Sequence, residues 1–176
     1  MPKPMVIVDY QHQWPREFEK ERTRILGVIG DKVLEVEHIG STAVPGLGAK
    51  PIIDIMVAVS AISHGYECVG PLRSIGFEHI SFPDFPERLF SRDGPMGDGP
   101  HHLHMTKFTS RFWEEKLLFR DFLRAHGEVA DEYLTLKRDL VDKYGADREK
   151  YEEYTVAKTS FIEGALNRAR AGMNYE

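Results

Sequence analysis

The 176-residue chain has a net charge of −5, a pI near 5.9, an apolar content of 41% and a mean hydropathy of −0.39. This length is sufficient for one domain with a buried core, and the composition is ordinary for a globular protein. The acidic balance argues against a binding surface for duplex nucleic acid, but it leaves room for a local basic pocket that binds one small anion.

The sequence predicts a cytoplasmic protein without a membrane partner. The single cysteine, Cys68, cannot form an internal disulfide, as is usual in a reducing compartment. Residues 1–9 lack the long apolar run of a signal peptide. No stretch approaches the roughly 20 apolar residues that a membrane span needs.

The first part of the chain predicts an α/β unit. Apolar residues recur at helical spacing from Trp14 to Ile29, and Gly30 ends that helix. Residues 33–39 alternate as in a strand, and the apolar run 52–59 predicts a central strand covered on both faces. A short strand or extended arm is predicted at 6–8 and a weaker helix at 62–75. Three more strands are predicted at 77–80, 87–92 and 101–107, and a hairpin loop at 93–100.

After residue 108 the pattern becomes helical throughout. Ser110 is a predicted N-cap, and apolar residues at helical spacing follow it. Two further helices are predicted at 129–144 and from about 147 to 170. The sequence therefore predicts an α+β fold in one domain, residues 1–176, in which an α/β core (1–108) precedes a helical extension (109–176).

The segment from His38 to Asp54 is the most informative part of the chain. A strand ends in Gly40-Ser41-Thr42, and a loop rich in Pro and Gly leads to the strand that carries Asp54. A carboxylate among apolar neighbours costs several kcal/mol unless it lies at a strand end, is paired or binds a metal. Hydroxyls and backbone N–H groups next to such an acid suit a phosphate with its metal ion.

Several other residues are candidates for the same site, each with an alternative. His102 and His104 share a strand face and could bind one metal or donate to phosphate, or simply form a polar strand face. Glu37 is either a second acid beside Asp54 or a solvent-facing residue. Lys50 either neutralises a phosphate or is an exposed loop lysine.

Further cations are candidates for an anion pocket. Arg88 and Arg92 share one face of a predicted strand, which allows an anion clamp. Lys137 and Lys158 lie in apolar helical stripes, where a lysine more often extends past the core to solvent. The sequence contains no Gly-x-x-x-x-Gly-Lys-[Ser/Thr] motif, which excludes a P-loop kinase.

Long motifs of ordered residues span almost the whole chain and carry a family resemblance. They include Asp9-Tyr10, Trp14-Pro15, 37–47, 49–55, 101–104, 118–124, Tyr133, 136–137, Tyr144, 147–148, Tyr151 and 158–162. With these motifs the chain resembles the GrpB-like family, a branch of the nucleotidyltransferase superfamily. The resemblance implies a small mixed sheet flanked by helices, with a C-terminal helical extension that completes a nucleotide cleft.

The resemblance also implies a metal site, from which this chain departs. In active nucleotidyltransferases a Gly-Ser turn precedes a strand with two acids one residue apart, and a third acid on a later strand completes the Mg²⁺ site. Gly40-Ser41 and Asp54 match, but the second acid position holds Met56, whose thioether is a poor ligand for hard Mg²⁺. The later strand carries His102 and His104.

Two functions are compatible with this pattern. One is a metal-dependent enzyme that transfers a nucleotidyl group to a small molecule, using Mg²⁺ or Mn²⁺, or Zn²⁺ as a softer ion. The other is a non-catalytic module that binds a nucleotide or phosphate ligand. The expected catalytic residues are Asp54, Glu37 and His104. The expected metal ligands are the same three residues and His102. The expected substrate contacts are Gly40, Ser41, Thr42, Lys50, Arg88, Lys137 and Lys158.

Overall fold

The computed structural model describes residues 6–94, 99–144 and 151–173, and within these it contains five α-helices, two short 3-10 helices and a five-stranded sheet. Helices α1 to α5 span Trp14–Ile29, Ile62–Ser74, Arg111–Ala125, Gly127–Tyr144 and Tyr151–Met173. Strands β1 to β5 span Glu35–Ile39, Ile53–Val59, Glu78–Ile80, Arg88–Arg92 and His101–Lys107.

The predicted α+β fold is confirmed, and most differences concern the ends of elements. The predicted arm at 6–8 forms only an isolated bridge between Val8 and Ala49. Ser110 is the N-cap of α3, since its Oγ accepts a hydrogen bond from the Trp113 backbone N–H at 3.2 Å. The predicted start of the last helix near 147 and the centre of the hairpin loop, 95–98, lie outside the described residues.

The sheet is mixed, with strand order β1-β2-β5-β4-β3. Strand β2 pairs in parallel with β5, whereas the other neighbouring pairs are antiparallel. Because both faces of the sheet are covered at β2, its alternating side chains are buried on either side and its sequence is nearly continuously apolar. Ile55, Met56 and Val57 are indeed fully buried, as the sequence predicts.

The two faces of the sheet are covered by different helices. Ile53, Ile55 and Val57 belong to the main apolar cluster, which includes residues of α1 and α2. Successive side chains of a strand alternate, so Asp54 lies on the opposite face. On that face Met56 packs with Trp113 of α3.

The helical extension packs against the loop between β1 and β2. Val44 and Leu47 of that loop cluster with Leu123 of α3 and Val129 of α4. Helix α5 joins this cluster through Phe161. The three helices after the sheet therefore lie beside the Asp54 face and the turn that precedes it.

None of the helices in the described part of the chain is both long enough and apolar enough to cross a membrane. The cytoplasmic location stays a prediction.

The apolar interior of β2 supplies a direct test of the fold. Ile55→Ala is expected to lower the free energy of unfolding by about 2–5 kcal/mol, because removal of buried atoms leaves a cavity. Urea denaturation measures the change. Leu34→Ala is the matched control, since Leu34 is 52% exposed and its loss should change stability by about 0.5 kcal/mol or less. Equal losses in the two variants would contradict the burial of β2.

Candidate functional site

Asp54 lies near the start of β2, between the end of β1 and the start of β5. Its Cα is paired with that of Ile39 on one side and that of His102 on the other. Asp54 Oδ1 is 3.4 Å from both His102 Nδ1 and His104 Nε2. The Asp54 side chain is 29% exposed, so a molecule in solvent can reach this carboxylate. The structure thus brings together the acid and the two histidines that the sequence singled out.

The electrostatics of this trio favour an ionised acid. Burial raises the pKa of Asp54, but hydrogen bonds and charge from His102 and His104 outweigh it and hold that pKa well below its usual range. Burial lowers the pKa of His104, which Asp54 only partly opposes. At neutral pH the structure therefore favours a carboxylate beside a neutral His104 imidazole.

The Gly40 turn fits tightly against this carboxylate. Gly40 has φ 73° and ψ −172°, a backbone conformation open almost only to glycine. A Cβ at this position would lie 2.7 Å from Asp54 Oδ2. Glycine is therefore required both for the turn and for the close approach to the acid.

Ser41 is tied to the helical extension by a buried lysine. Lys137 Nζ donates to Ser41 Oγ at 3.0 Å and to the Gly48 carbonyl at 2.6 Å. Lys137 is only 3% exposed, so it does not extend to solvent as a lysine in an apolar stripe usually does. Burial, with the charges of Lys158 and Arg138, lowers the pKa of Lys137 to about 7.

Thr42 has a different place from the one expected. It is buried, and its hydroxyl donates to the Ile52 carbonyl at 3.3 Å. The same oxygen is 2.9 Å from Nε2 of His38, whose ring stacks on Phe18 and whose pKa burial lowers to about 4. Because the Thr42 hydrogen is used, His38 Nε2 is the donor of that pair. Thr42 therefore braces the turn and does not present its hydroxyl to a ligand.

Glu37 is held away from the role of second acid. It lies on the same face as Asp54, but its Oε2 accepts a hydrogen bond from Arg120 Nη1 at 2.5 Å. Arg120 also donates to the His38 carbonyl and is nearly buried. The observed Glu37 is thus part of an ion pair that joins β1 to α3.

Lysines from a loop and two helices lie within range of the charge of Asp54. Burial lowers the pKa values of Lys50, Lys116 and Lys158, that of Lys50 to about 8. The negative charge of Asp54 opposes this effect at each of the three. Lys50 and Lys158 were expected in an anion pocket. Lys116 was not expected there, because in the sequence it resembles any exposed helical lysine. Only the packing of α3 on the sheet brings it to this face.

Arg88 lies next to this lysine cluster on β4. Its guanidinium carbon is 4.8 Å from the centre of the Phe85 ring and 5.0 Å from that of Phe112. Its charge lowers the pKa values of His104 and Lys116, which places it on the same side of the sheet. Arg88 is therefore a fixed cation at the β4 side of the site.

The residues present do not fit a resident metal centre of the expected kind. Among the described residues, no group of three or more His, Cys, Asp or Glu side chains is arranged to hold a metal ion. Glu37 is paired with Arg120, and Met56 is buried without a hard donor. The metal ligand set stays a prediction, for which Asp54 is the best-placed carboxylate.

The contact between Gly40 and Asp54 can be tested with a matched pair of glycines. Gly40→Ala is expected to destabilise the fold by about 1–3 kcal/mol from backbone strain and by a further amount from the clash with Asp54. Gly46→Ala is the control, because Gly46 also has a positive φ, of 82°, but a Cβ there would meet no atom within 4 Å. Chemical denaturation of both variants measures the difference. Equal losses would show that the approach to Asp54 carries no constraint.

The buried Lys137 predicts a pH dependence of stability. Its pKa is about 7 in the folded chain and near 10.5 ordinarily, so between these values the unfolded chain binds more protons. Stability due to this side chain therefore rises with pH across that window, by up to about 1.4 kcal/mol per pH unit. Unfolding of Lys137→Met should show a flatter pH profile, whereas the exposed control Lys20→Met should follow the parent chain. Parallel pH profiles for the parent chain and both variants would contradict a buried Lys137 with a lowered pKa.

Comparison with known proteins places this geometry in a family. The model of the family described as GrpB protein matches residues 4–168. The UPF0157 protein BH1888 of Halalkalibacterium halodurans is 38% identical over 169 residues, which cover 95% of this chain and 83% of that protein. The crystal structure of the conserved protein GrpB from Enterococcus faecalis superposes with a TM-score of 0.80 at 33% identity, covering 93% of this chain and 98% of that one.

A more distant likeness concerns the fold alone. The Cid1 poly(U) polymerase, solved with MgGTP bound, superposes with a TM-score of 0.52 at 15% identity over 77% of this chain and 44% of the polymerase chain. Its sequence is too different to transfer any residue role. The chain belongs to the GrpB family, and its architecture is that of the nucleotidyltransferase fold.

Proposed function

We propose that this protein binds a nucleotide, or a small molecule with a comparable chain of phosphates, at the Asp54 face of the sheet. The observation that carries the proposal is the concentration of cations on the Asp54 face: Lys116 shares the Phe112 ring with Arg88, and Lys50, Lys116 and Lys158 interact with the charge of Asp54. Several cations that share one face of the sheet attract a ligand that carries several negative charges. A polyphosphate is such a ligand.

The turn before the acid is suited to hold a phosphate oxygen. Ser41 Oγ accepts from Lys137, so its own hydrogen remains available to donate. Gly40 keeps the backbone of the turn close to Asp54. The phosphates would therefore lie between the turn on one side and the lysines of α3 and α5 on the other.

A divalent ion belongs to this proposal as a companion of the ligand. Mg²⁺ that arrives with phosphates commonly needs only one or two protein carboxylates. Asp54 supplies one, and its low pKa keeps it ionised. Binding is thus expected to be stronger with Mg²⁺ or Mn²⁺ than without, although no preformed metal centre is required.

Nucleotidyl transfer is the second candidate function, and the proximity of His104 to Asp54 favours it. In such a step the oxygen of an acceptor hydroxyl forms a bond to the α-phosphorus of a nucleoside triphosphate. The bond from that phosphorus to the bridging oxygen breaks, and pyrophosphate leaves with the electron pair. The Asp54 carboxylate would take the hydroxyl proton, and His104 Nε2–H would orient that carboxylate. Release of pyrophosphate from a triphosphate in the presence of candidate acceptors tests this step, and His104→Gln is the corresponding variant.

The lysine cluster predicts the outcome of charge removal. Lys116→Gln and Lys158→Gln are each expected to weaken binding of nucleoside triphosphates about 10-fold or more, because each loses a charge-assisted hydrogen bond. Isothermal titration calorimetry measures the dissociation constants. Lys20→Gln on α1 is the matched control and should bind as the parent chain does. No detectable heat with any triphosphate, with or without Mg²⁺ or Mn²⁺, would exclude the proposed function.

Asp54→Asn separates the role of the carboxylate from that of the cations. The amide keeps the volume of the side chain but cannot replace a carboxylate on a hard cation, so the gain in affinity from Mg²⁺ or Mn²⁺ should disappear. Binding without a metal should persist, because the lysines are unchanged. Circular dichroism checks that the fold is intact. A metal effect of undiminished size in this variant would rule out Asp54 as the metal contact.

A further inference from the structure

Aromatic side chains form a continuous surface on the β4 side of Asp54. The Phe82 ring is 5.6 Å from that of Phe90, and Phe90 is 5.2 Å from His102 and 5.0 Å from His104, measured between ring centres. His104 in turn contacts the Asp54 carboxylate. Phe112 lies 6.0 Å from His104, and Phe85 adjoins this group through Arg88, which lies over both rings. We call Phe82, Phe85, Phe90 and Phe112 the aromatic surface, which extends from the exterior to the acid.

Two of these rings face solvent to an extent that core packing does not explain. Phe82 and Phe85 are each 45% exposed. They lie in the loop between β3 and β4, which is held by backbone hydrogen bonds from Phe85 N–H to the Phe82 carbonyl and from Arg88 N–H to the Phe85 carbonyl. The backbone that carries the rings is thus held by turns, while a large part of the surface of these two residues stays in contact with water.

Cations accompany the rings. Arg88 lies over Phe85 and Phe112, and Lys116 Nζ is 5.3 Å from the centre of the Phe112 ring. A surface of flat rings with adjacent fixed cations matches a ligand that combines a planar ring with negative charge. An aliphatic chain would gain from the rings but not from this arrangement of charge.

We propose that Phe82 and Phe85 form a stacking subsite for a planar ring, such as a nucleobase, carried by the same small molecule whose phosphates the lysine cluster holds. This inference rests on the proposed function, since it gives the ligand a second recognition element on the other side of Asp54 from the Gly40 turn. It names the ligand class as an aromatic phosphate compound and assigns its ring to the β3–β4 loop.

The experiment compares ligands with and without a ring. Calorimetry with ATP, inorganic tripolyphosphate and octyl phosphate is run on the parent chain, on Phe82→Ala/Phe85→Ala and on Phe108→Ala. Phe108, which directly follows the end of β5, is 38% exposed and serves as the matched control. In the parent chain ATP should bind about 10-fold or more tightly than tripolyphosphate, since stacking of one base typically contributes an effect of about that size.

The variants decide whether the subsite exists. The double variant should lose the advantage of ATP while its affinity for tripolyphosphate stays within about twofold of the parent value, and Phe108→Ala should change neither. Equal binding of ATP and tripolyphosphate by the parent chain would overturn the subsite and leave the proposed function standing. Octyl phosphate that exceeds tripolyphosphate in affinity by as large a factor as ATP does would also overturn the subsite, in favour of an aliphatic occupant. Absence of binding by both ATP and tripolyphosphate would overturn the two proposals together.

Discussion

The parallel pairing of β2 with β5 is the constraint on which the rest of the site depends. It sets Asp54 level with His102 and two residue pairs away from His104, on the same face, so one carboxylate oxygen lies near both imidazoles. That contact keeps the acid ionised although burial opposes ionisation. The antiparallel partner β1 ends opposite Asp54, and only a glycine can follow at Gly40 without striking the carboxylate.

Both parts of the chain contribute charge to this face. The sheet part supplies the Asp54 carboxylate, Lys50 and Arg88, and α3, α4 and α5 add Lys116, Lys137 and Lys158. Lys137 links the parts directly through Ser41 and the Gly48 carbonyl. Because these lysines come from the helices and Asp54 comes from the sheet, binding of the proposed anionic ligand would be coupled to the packing of the helices on the sheet.

Met56 and Glu37 give this face a different character from a two-acid metal centre. Met56 is fully buried and packs with Trp113, and Glu37 neutralises Arg120. A single carboxylate among several cations favours recognition of polyanions over retention of a bare metal ion. The rings of the β3–β4 loop add an apolar element at the far side of the acid, where charge alone offers little selectivity.

The sequence by itself determined the order of elements, the buried β2, the Gly40-Ser41 turn and the candidacy of Asp54, because hydrophobic periodicity and local turn chemistry depend on neighbouring residues. It also placed His102 and His104 on one strand face, since side chains alternate along any strand. Only the tertiary structure decided that the Thr42 hydroxyl is hydrogen-bonded within the protein, that Glu37 forms an ion pair with Arg120, and that Lys116 lies on the Asp54 face. Each of these depends on residues distant in the chain, which periodicity cannot register: Arg120 is 83 residues from Glu37, and Lys116 reaches Asp54 only because α3 packs on β1 and β5.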